Sequence, residues 1–136
     1  MSTLKTSNIQ DTSGNNNSTP EEINQGRAKA WVNFDGTGPS ASIRDSFNVG
    51  SVTDNAIGDY TITLTNALGN SNYCIQISAN DDGTGSNMTD GFGYGAWKRG
   101  SNSTALTTSS ARIQLGYPTN QTLYDLTHIM VTFFGD

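Results

Sequence analysis

The sequence predicts an all-β fold, an antiparallel β-sandwich of jelly-roll-like kind with about eight short strands, an extended N-terminal lead and one short helix. Three observations predict it. Apolar and polar residues alternate with a period of two in several short runs; Gly, Asn, Asp and Pro cluster between those runs; and a helix-start pattern occurs at Ser18 to Ile23.

Composition agrees with that class. Of 136 residues, 33% are hydrophobic and 14% charged, and Ser, Thr, Asn and Gly are abundant. Such a chain is poorly supplied for a self-sufficient globule but suits β-structure whose apolar surface is shared between identical copies. Alternating aromatic and β-branched residues argue against full disorder. The length fits one domain and a lead: residues 1–26 as an attachment or stem segment, residues 27–136 as a C-terminal sandwich.

In the lead, Leu4 and Ile9 stand in a polar background that ends Ser13-Gly14-Asn15-Asn16-Asn17. It reads either as a flexible leader or as a strand that wraps around an axis with its symmetry mates and buries Leu4 and Ile9 there. Ser18 or Thr19 then caps a helix, with Pro20 in its first turn and Glu21 and Glu22 near its positive end. Gly26 stops that helix after about two turns, too short to stand alone, so Ile23 is expected to pack inward.

Ala30, Val32 and Phe34 alternate with Trp31, Asn33 and Asp35, giving a first strand whose faces see different surroundings. Asp35-Gly36-Thr37-Gly38-Pro39 ends it. Ile43, Asp45, Phe47 and Val49 mark a second strand, Val52-Thr53-Asp54-Asn55 with Gly58 a polar turn, and Tyr60, Ile62 and Leu64 a third strand whose threonine face is solvated.

The strings RAKAWVNFDGTG and IRDSFNVGSVTDNAIGDYTITLT together resemble a domain of bacteriophage tail-fibre and receptor-binding proteins, especially of phages infecting cyanobacteria and other aquatic bacteria. MSTLKTSNIQDTSGNNNSTPEEINQG resembles the lead-in of those proteins, and HIMVTFFGD, from His128 on, their closing strand. The resemblance covers residues 1–64 and 128–136 and leaves 72–124 unplaced. It implies a virion protein of the tail, synthesised in the host cytoplasm. Its N-terminal segment is implied to meet tail or baseplate proteins.

Tyr73, Ile75, Ile77 and Ala79 alternate with Cys74, Gln76 and Ser78 in a further strand, expected as the antiparallel neighbour of Tyr60 to Thr65. Cys74 has no partner for an intrachain disulfide and reads as a small buried hydrophobe. The polar passage from Asn80 to Gly91 is long enough to suggest function. Phe92, Tyr94 and Ala96 form the next strand pattern, Leu106 and Ala111 to Leu115 further short strands, and Gly116 to Gln121 a loop. The apolar run from Leu123 to Phe134 is expected to place one face in the core and the other against neighbouring chains.

Several chemistries are argued against. With a net charge of −5 and no basic cluster beyond Lys98-Arg99, phosphate-backbone binding is not expected. There is no apolar run long enough to span a bilayer and no signal-peptide pattern. The one histidine, His128, reads as a strand residue rather than a general base or a metal ligand on a symmetry axis. Asp81, Asp82 and Asp90 lack the spacing of a dedicated calcium loop and read as a solvated turn. Nothing brings two of Asp81, Asp82, Asp90 and Asp125 to the separation glycoside hydrolysis requires, and Gly91 to Gly95 is not a phosphate loop. No enzyme activity, cofactor or metal is expected.

Binding remains. Aromatic rings hold the C–H faces of sugars, and amides and carboxylates hold their hydroxyls. Asp81, Asp82, Tyr94, Trp97, Arg99, Asn102, Tyr117 and Asn120 supply both kinds of group in Gly-rich loops. The expectation is a homotrimer that adheres to bacterial surface glycan, each weak contact multiplied by three copies. The alternative is a structural baseplate or tail decoration protein that touches no receptor.

Overall fold

The computed structural model describes residues 2–80, 106–116 and 122–135, together with the backbone of 94–97. Among the described residues one helix, α1 (Pro20–Gly26), precedes eight strands: β1 (Ala30–Asp35), β2 (Ser42–Phe47), β3 (Val49–Ala56), β4 (Asp59–Leu64), β5 (Cys74–Asn80), β6 (Tyr94–Trp97), β7 (Ser110–Gly116) and β8 (His128–Phe134). They form two four-stranded sheets, in the orders β2-β1-β8-β5 and β3-β4-β7-β6. All neighbours are antiparallel and both sheets stay open, so the expected all-β sandwich is the observed fold.

The helix starts as its residues dictate. Glu22 N–H donates to Thr19 Oγ1 at 3.1 Å, and Thr19 N–H donates to Glu22 Oε2 at 2.7 Å, a reciprocal capping box. Ile23, expected to pack inward, is instead 43% exposed, and α1 buries no residue. Seven residues with one large apolar side chain offer too narrow a stripe to dock.

Alternation decides the core. Ala30, Val32 and Phe34 of β1 and Ile129, Val131 and Phe133 of β8 turn inward to meet Tyr60 and Ile62 of β4 and Ala111, Ile113 and Leu115 of β7. Phe34 and Tyr60 meet edge to face, centroids 5.1 Å apart, joining the two sheets. Each large side chain buried here contributes about 1.5–3 kcal/mol. A single copy closes this core.

Three expectations about the strands need correction. The residues 52–55 are part of β3, not a turn; the break falls at Asn48. That residue adopts φ 55, and its amide bridges Lys29 O and Asn66, so a side chain holds the corner that a polar turn was expected to make. Strand β5 is not beside β4. It pairs with β8, Ile77 opposite Val131, because β4 is already flanked by β3 and β7 and residues 65–73 carry the chain across to the other sheet. There Leu68 N–H bonds Thr108 O at 2.8 Å and the Tyr73 hydroxyl bonds Thr107 O at 2.9 Å. Finally, Cys74 is exposed: it shares the outward face of β5 with Gln76 and Ser78.

Candidate functional site

Strand directions give the sandwich two unlike ends. At the first end lie the β1–β2 turn after Asp35, the β3–β4 turn at Ile57 and Gly58, the end of β5 at Asn80, the start of β6 at Tyr94, the end of β7 at Gly116 and the start of β8 at His128. At the second end the helix joins β1 through Lys29 and the chain turns at Asn48.

Of the residues read from sequence as binding groups, Tyr94 and Trp97 fall on a described strand. Tyr94 and Trp97 are the first and last residues of β6, with backbones about 10 Å apart along the strand. Tyr94 pairs with Gly116 and Trp97 with Ile113. Asp81, Asp82, Arg99, Asn102, Tyr117 and Asn120 lie outside the described residues. Asp81 and Asp82 follow Asn80 in the chain, and Tyr117 and Asn120 follow Gly116, so these four continue from strands that finish at the first end. Arg99 and Asn102 follow Trp97 in the chain, and Trp97 pairs with Ile113, opposite Tyr60, partway along the sheet.

The described floor of the first end is tied by hydrogen bonds. Asp125 Oδ1 accepts the Tyr60 hydroxyl at 2.6 Å and the Gly58 N–H at 2.7 Å. Gly58 has φ +61, and its carbonyl accepts Leu115 N–H at 2.8 Å. A side chain at this position would meet Leu115 O and Tyr124 N, so the turn needs glycine. Gly36 N–H bonds Leu126 O at 2.9 Å, and Thr127 Oγ1 donates to Asn80 O at 3.3 Å. The strand ends from which both polar passages continue are therefore held on a fixed frame.

Electrostatics at this end are local and paired. Burial, helped by the Asp125 carboxylate, pushes the Tyr60 hydroxyl far above the usual tyrosine range and keeps it a neutral donor. Asp35 accepts the Thr37 N–H at 2.9 Å, its hydroxyl at 2.7 Å and Arg44 Nη2 at 2.8 Å; these bonds hold its carboxyl below the usual carboxylate value. Ile57 protrudes, 63% exposed. His128 is exposed, its Nδ1 3.2 Å from Thr127 Oγ1. Among the described residues no three His, Cys, Asp or Glu side chains are grouped to hold a metal ion, and no helix is long and apolar enough to cross a membrane.

Two polar pairings made by β4 went unread in the sequence. One is Tyr60 with Asp125, the other Asp59 with Arg112. Asp59 is 2% exposed and receives Arg112 Nε at 2.7 Å, Arg112 Nη2 at 3.0 Å and Gln114 Nε2 at 3.0 Å, on the outward side of β4 and β7. A signal existed for the first. A tyrosine at a core position needs a partner for its hydroxyl, and a carboxylate near the next strand is a natural acceptor.

No family model matches the chain, and no curated protein or solved structure is significantly similar to it.

Proposed function

We propose that this chain is an adhesion protein of a bacteriophage tail. In this reading a homotrimer meets tail or baseplate proteins through its N-terminal segment and binds bacterial surface glycan, without catalysis. The observation that carries the reading is the division of labour between the two ends. The lead and helix join the sandwich at one end, while the strands β5 and β7, which continue into the two long polar passages, finish at the other. A protein fixed at one end and presenting polar, aromatic-bearing segments at the other is suited to bridging a particle and a surface. Three copies raise a weak sugar contact by about 10²–10⁴ in avidity.

The test is binding of the purified chain to cells of the infected bacterium and to their isolated surface polysaccharide, beside its mass by light scattering. Saturable binding to both by a three-copy species is the expected result. A stable monomer at micromolar concentration overturns the assembly. Virions that need the chain for a stable tail, with no binding of the chain to cells or polysaccharide, overturn adhesion in favour of a structural decoration role.

A further inference from the structure

We infer that the outward face of the β2-β1-β8-β5 sheet is a binding site for a neutral saccharide chain. The inference goes beyond the adhesion reading above, since it needs neither the assembly nor the polar passages at the first end. The register sets Phe47, Trp31, Thr132 and Gln76 in one row across the four strands, on the side away from the core. Neighbouring strands lie about 4.8 Å apart, so this row is roughly 14 Å long. Phe47 is 53% exposed and Trp31 partly so, and the two rings stand on paired positions at one end of it. Hydrogen-bonding groups take the other end, where an open groove of about 290 Å³ between β5 and β8 is lined by Gln76, Ile77, Ser78, Met130 and Thr132.

The adjoining row supplies acceptors. Asp45 lies opposite Asn33, two residues along the strands from the rings. Asp45 Oδ1 takes the Ser46 N–H at 2.8 Å, and its Oδ2 accepts no hydrogen bond among the described residues. Asn33 Oδ1 is shielded from solvent and likewise has no partner there, an acceptor that the chain by itself leaves unpaired. A sugar uses both kinds of group: its C–H face packs on rings, and its hydroxyls donate to carboxylates and amides. On β3, β4 and β7 the outward face of the other sheet has polar groups without rings, namely Thr53, Thr61, Thr63 and the paired Asp59 and Arg112.

Charge narrows the occupant. Arg44 is the one Lys or Arg in these four strands, and it is paired with Asp35 at 2.8 Å. An acidic saccharide therefore finds no unpaired Lys or Arg on these strands and meets exposed Asp45, on a chain of net charge −5. An apolar protein face would enclose the Asp45 carboxylate without a partner, which is costly, and a second copy would bring a carboxylate of its own. The hydroxyls of a neutral sugar hydrogen-bond that carboxylate and leave it in contact with water.

Isothermal titration calorimetry of the full chain tests this, with short neutral gluco-, manno- and galacto-oligosaccharides beside oligogalacturonate as their acidic counterpart. At least one neutral series is expected to bind, and oligogalacturonate to bind about tenfold more weakly. Asp45→Ala and Phe47→Ala are each expected to weaken that binding by roughly fivefold or more, with far-ultraviolet circular dichroism kept, while Thr63→Ala on the other sheet matches the parent. Trp97→Phe leaves Trp31 as the only tryptophan, and its quenching by acrylamide is expected to fall on saturation with the bound sugar. Binding by no neutral series, or tighter binding of oligogalacturonate, overturns the proposal. Binding that both face variants keep and Tyr117→Ala loses also overturns it, and leaves the adhesion reading at the first end standing. A parent chain whose mass in sedimentation drops in Phe47→Asp places a second copy on this face and overturns the saccharide.

Discussion

The Tyr60 hydroxyl donates a 2.6 Å hydrogen bond to Asp125 Oδ1, so a core strand of one sheet grips the segment that leads into the last strand of the other. A bond to an ionised acceptor contributes about 1.5–3 kcal/mol. Tyr60→Phe is therefore expected to lower the urea unfolding midpoint by a loss of that size, with the slope of the transition unchanged. A midpoint equal to the parent's would show that Asp125 is satisfied without it.

The same pair sets a pH dependence. Burial first, and Asp125 second, raise the Tyr60 value in the folded chain above its unfolded value of 10.0. The folded state therefore prefers the protonated phenol, and the stability this gives is complete below pH 10.0 and lost progressively as pH rises beyond it. The melting temperature is expected to fall above that point, and to fall less steeply in Tyr60→Phe. Some slope should remain, because burial also raises Tyr73.

Gly36 offers a second probe of this packing. A Cβ there would fall on the Tyr60 hydroxyl and lie 2.8 Å from its Cζ and 3.0 Å from Ile129 Cδ1. Gly36→Ala is expected to cost about 1–3 kcal/mol by overpacking. Removing the hydroxyl relieves part of the clash, so the double variant with Tyr60→Phe should be destabilised by less than the sum of the two single variants. Strict additivity in chemical denaturation would place the strain elsewhere.

At the opposite end, Asn48 holds the change of sheet between β2 and β3. Its Nδ2 donates to Lys29 O and Asn66 O, each at 3.1 Å, and its Oδ1 accepts Asn66 N–H at 2.8 Å, from a backbone at φ 55. Alanine loses these bonds and also bears the left-handed conformation, whereas glycine loses only the bonds. Asn48→Ala should therefore be less stable than Asn48→Gly by about 1 kcal/mol. The reverse order in thermal unfolding would sink this account of the corner.

How far the sequence could be read follows from where side chains are decided locally. Alternation set Val32 and Phe34 apart from their neighbours and Tyr60 and Ile62 opposite a solvated threonine face, and all four are buried, because a strand sends neighbours to opposite faces whatever it pairs with. The capping box at Thr19 and Glu22 was legible for the same reason: both partners lie within one turn. Pairing was not legible. Whether β5 lies beside β4 or β8 depends on the crossing made by residues 65–73, whose path is fixed by bonds to Thr107 and Thr108 far along the chain. Cys74 shows a weighting error: its place in the alternation with Gln76 and Ser78 put it outside, and the burial habit of cysteine outweighed that signal. Residues 52–55 read as a turn because Asp and Asn favour turns, yet the register with β4 keeps them extended.

The adhesion reading makes a demand on the eight binding groups that the strand directions sharpen. If the end away from the helix faces the host, binding should depend on groups that continue from β5 and β7 or begin β6, namely Asp81, Asp82, Tyr94, Tyr117 and Asn120. Trp97, Arg99 and Asn102 end or follow β6 after it has run away from that end, and should contribute less. Removing one sugar-stacking ring from every copy of a trimer weakens three sites at once, and avidity multiplies the effect. Tyr117→Ala is therefore expected to weaken polysaccharide binding by roughly tenfold or more, while Arg99→Ala and Asn102→Ala stay within about twofold. Surface plasmon resonance on immobilised host polysaccharide reads both. Loss of binding in Arg99→Ala with Tyr117→Ala unaffected would turn the molecule around, placing the host at the helix end and the tail at the other.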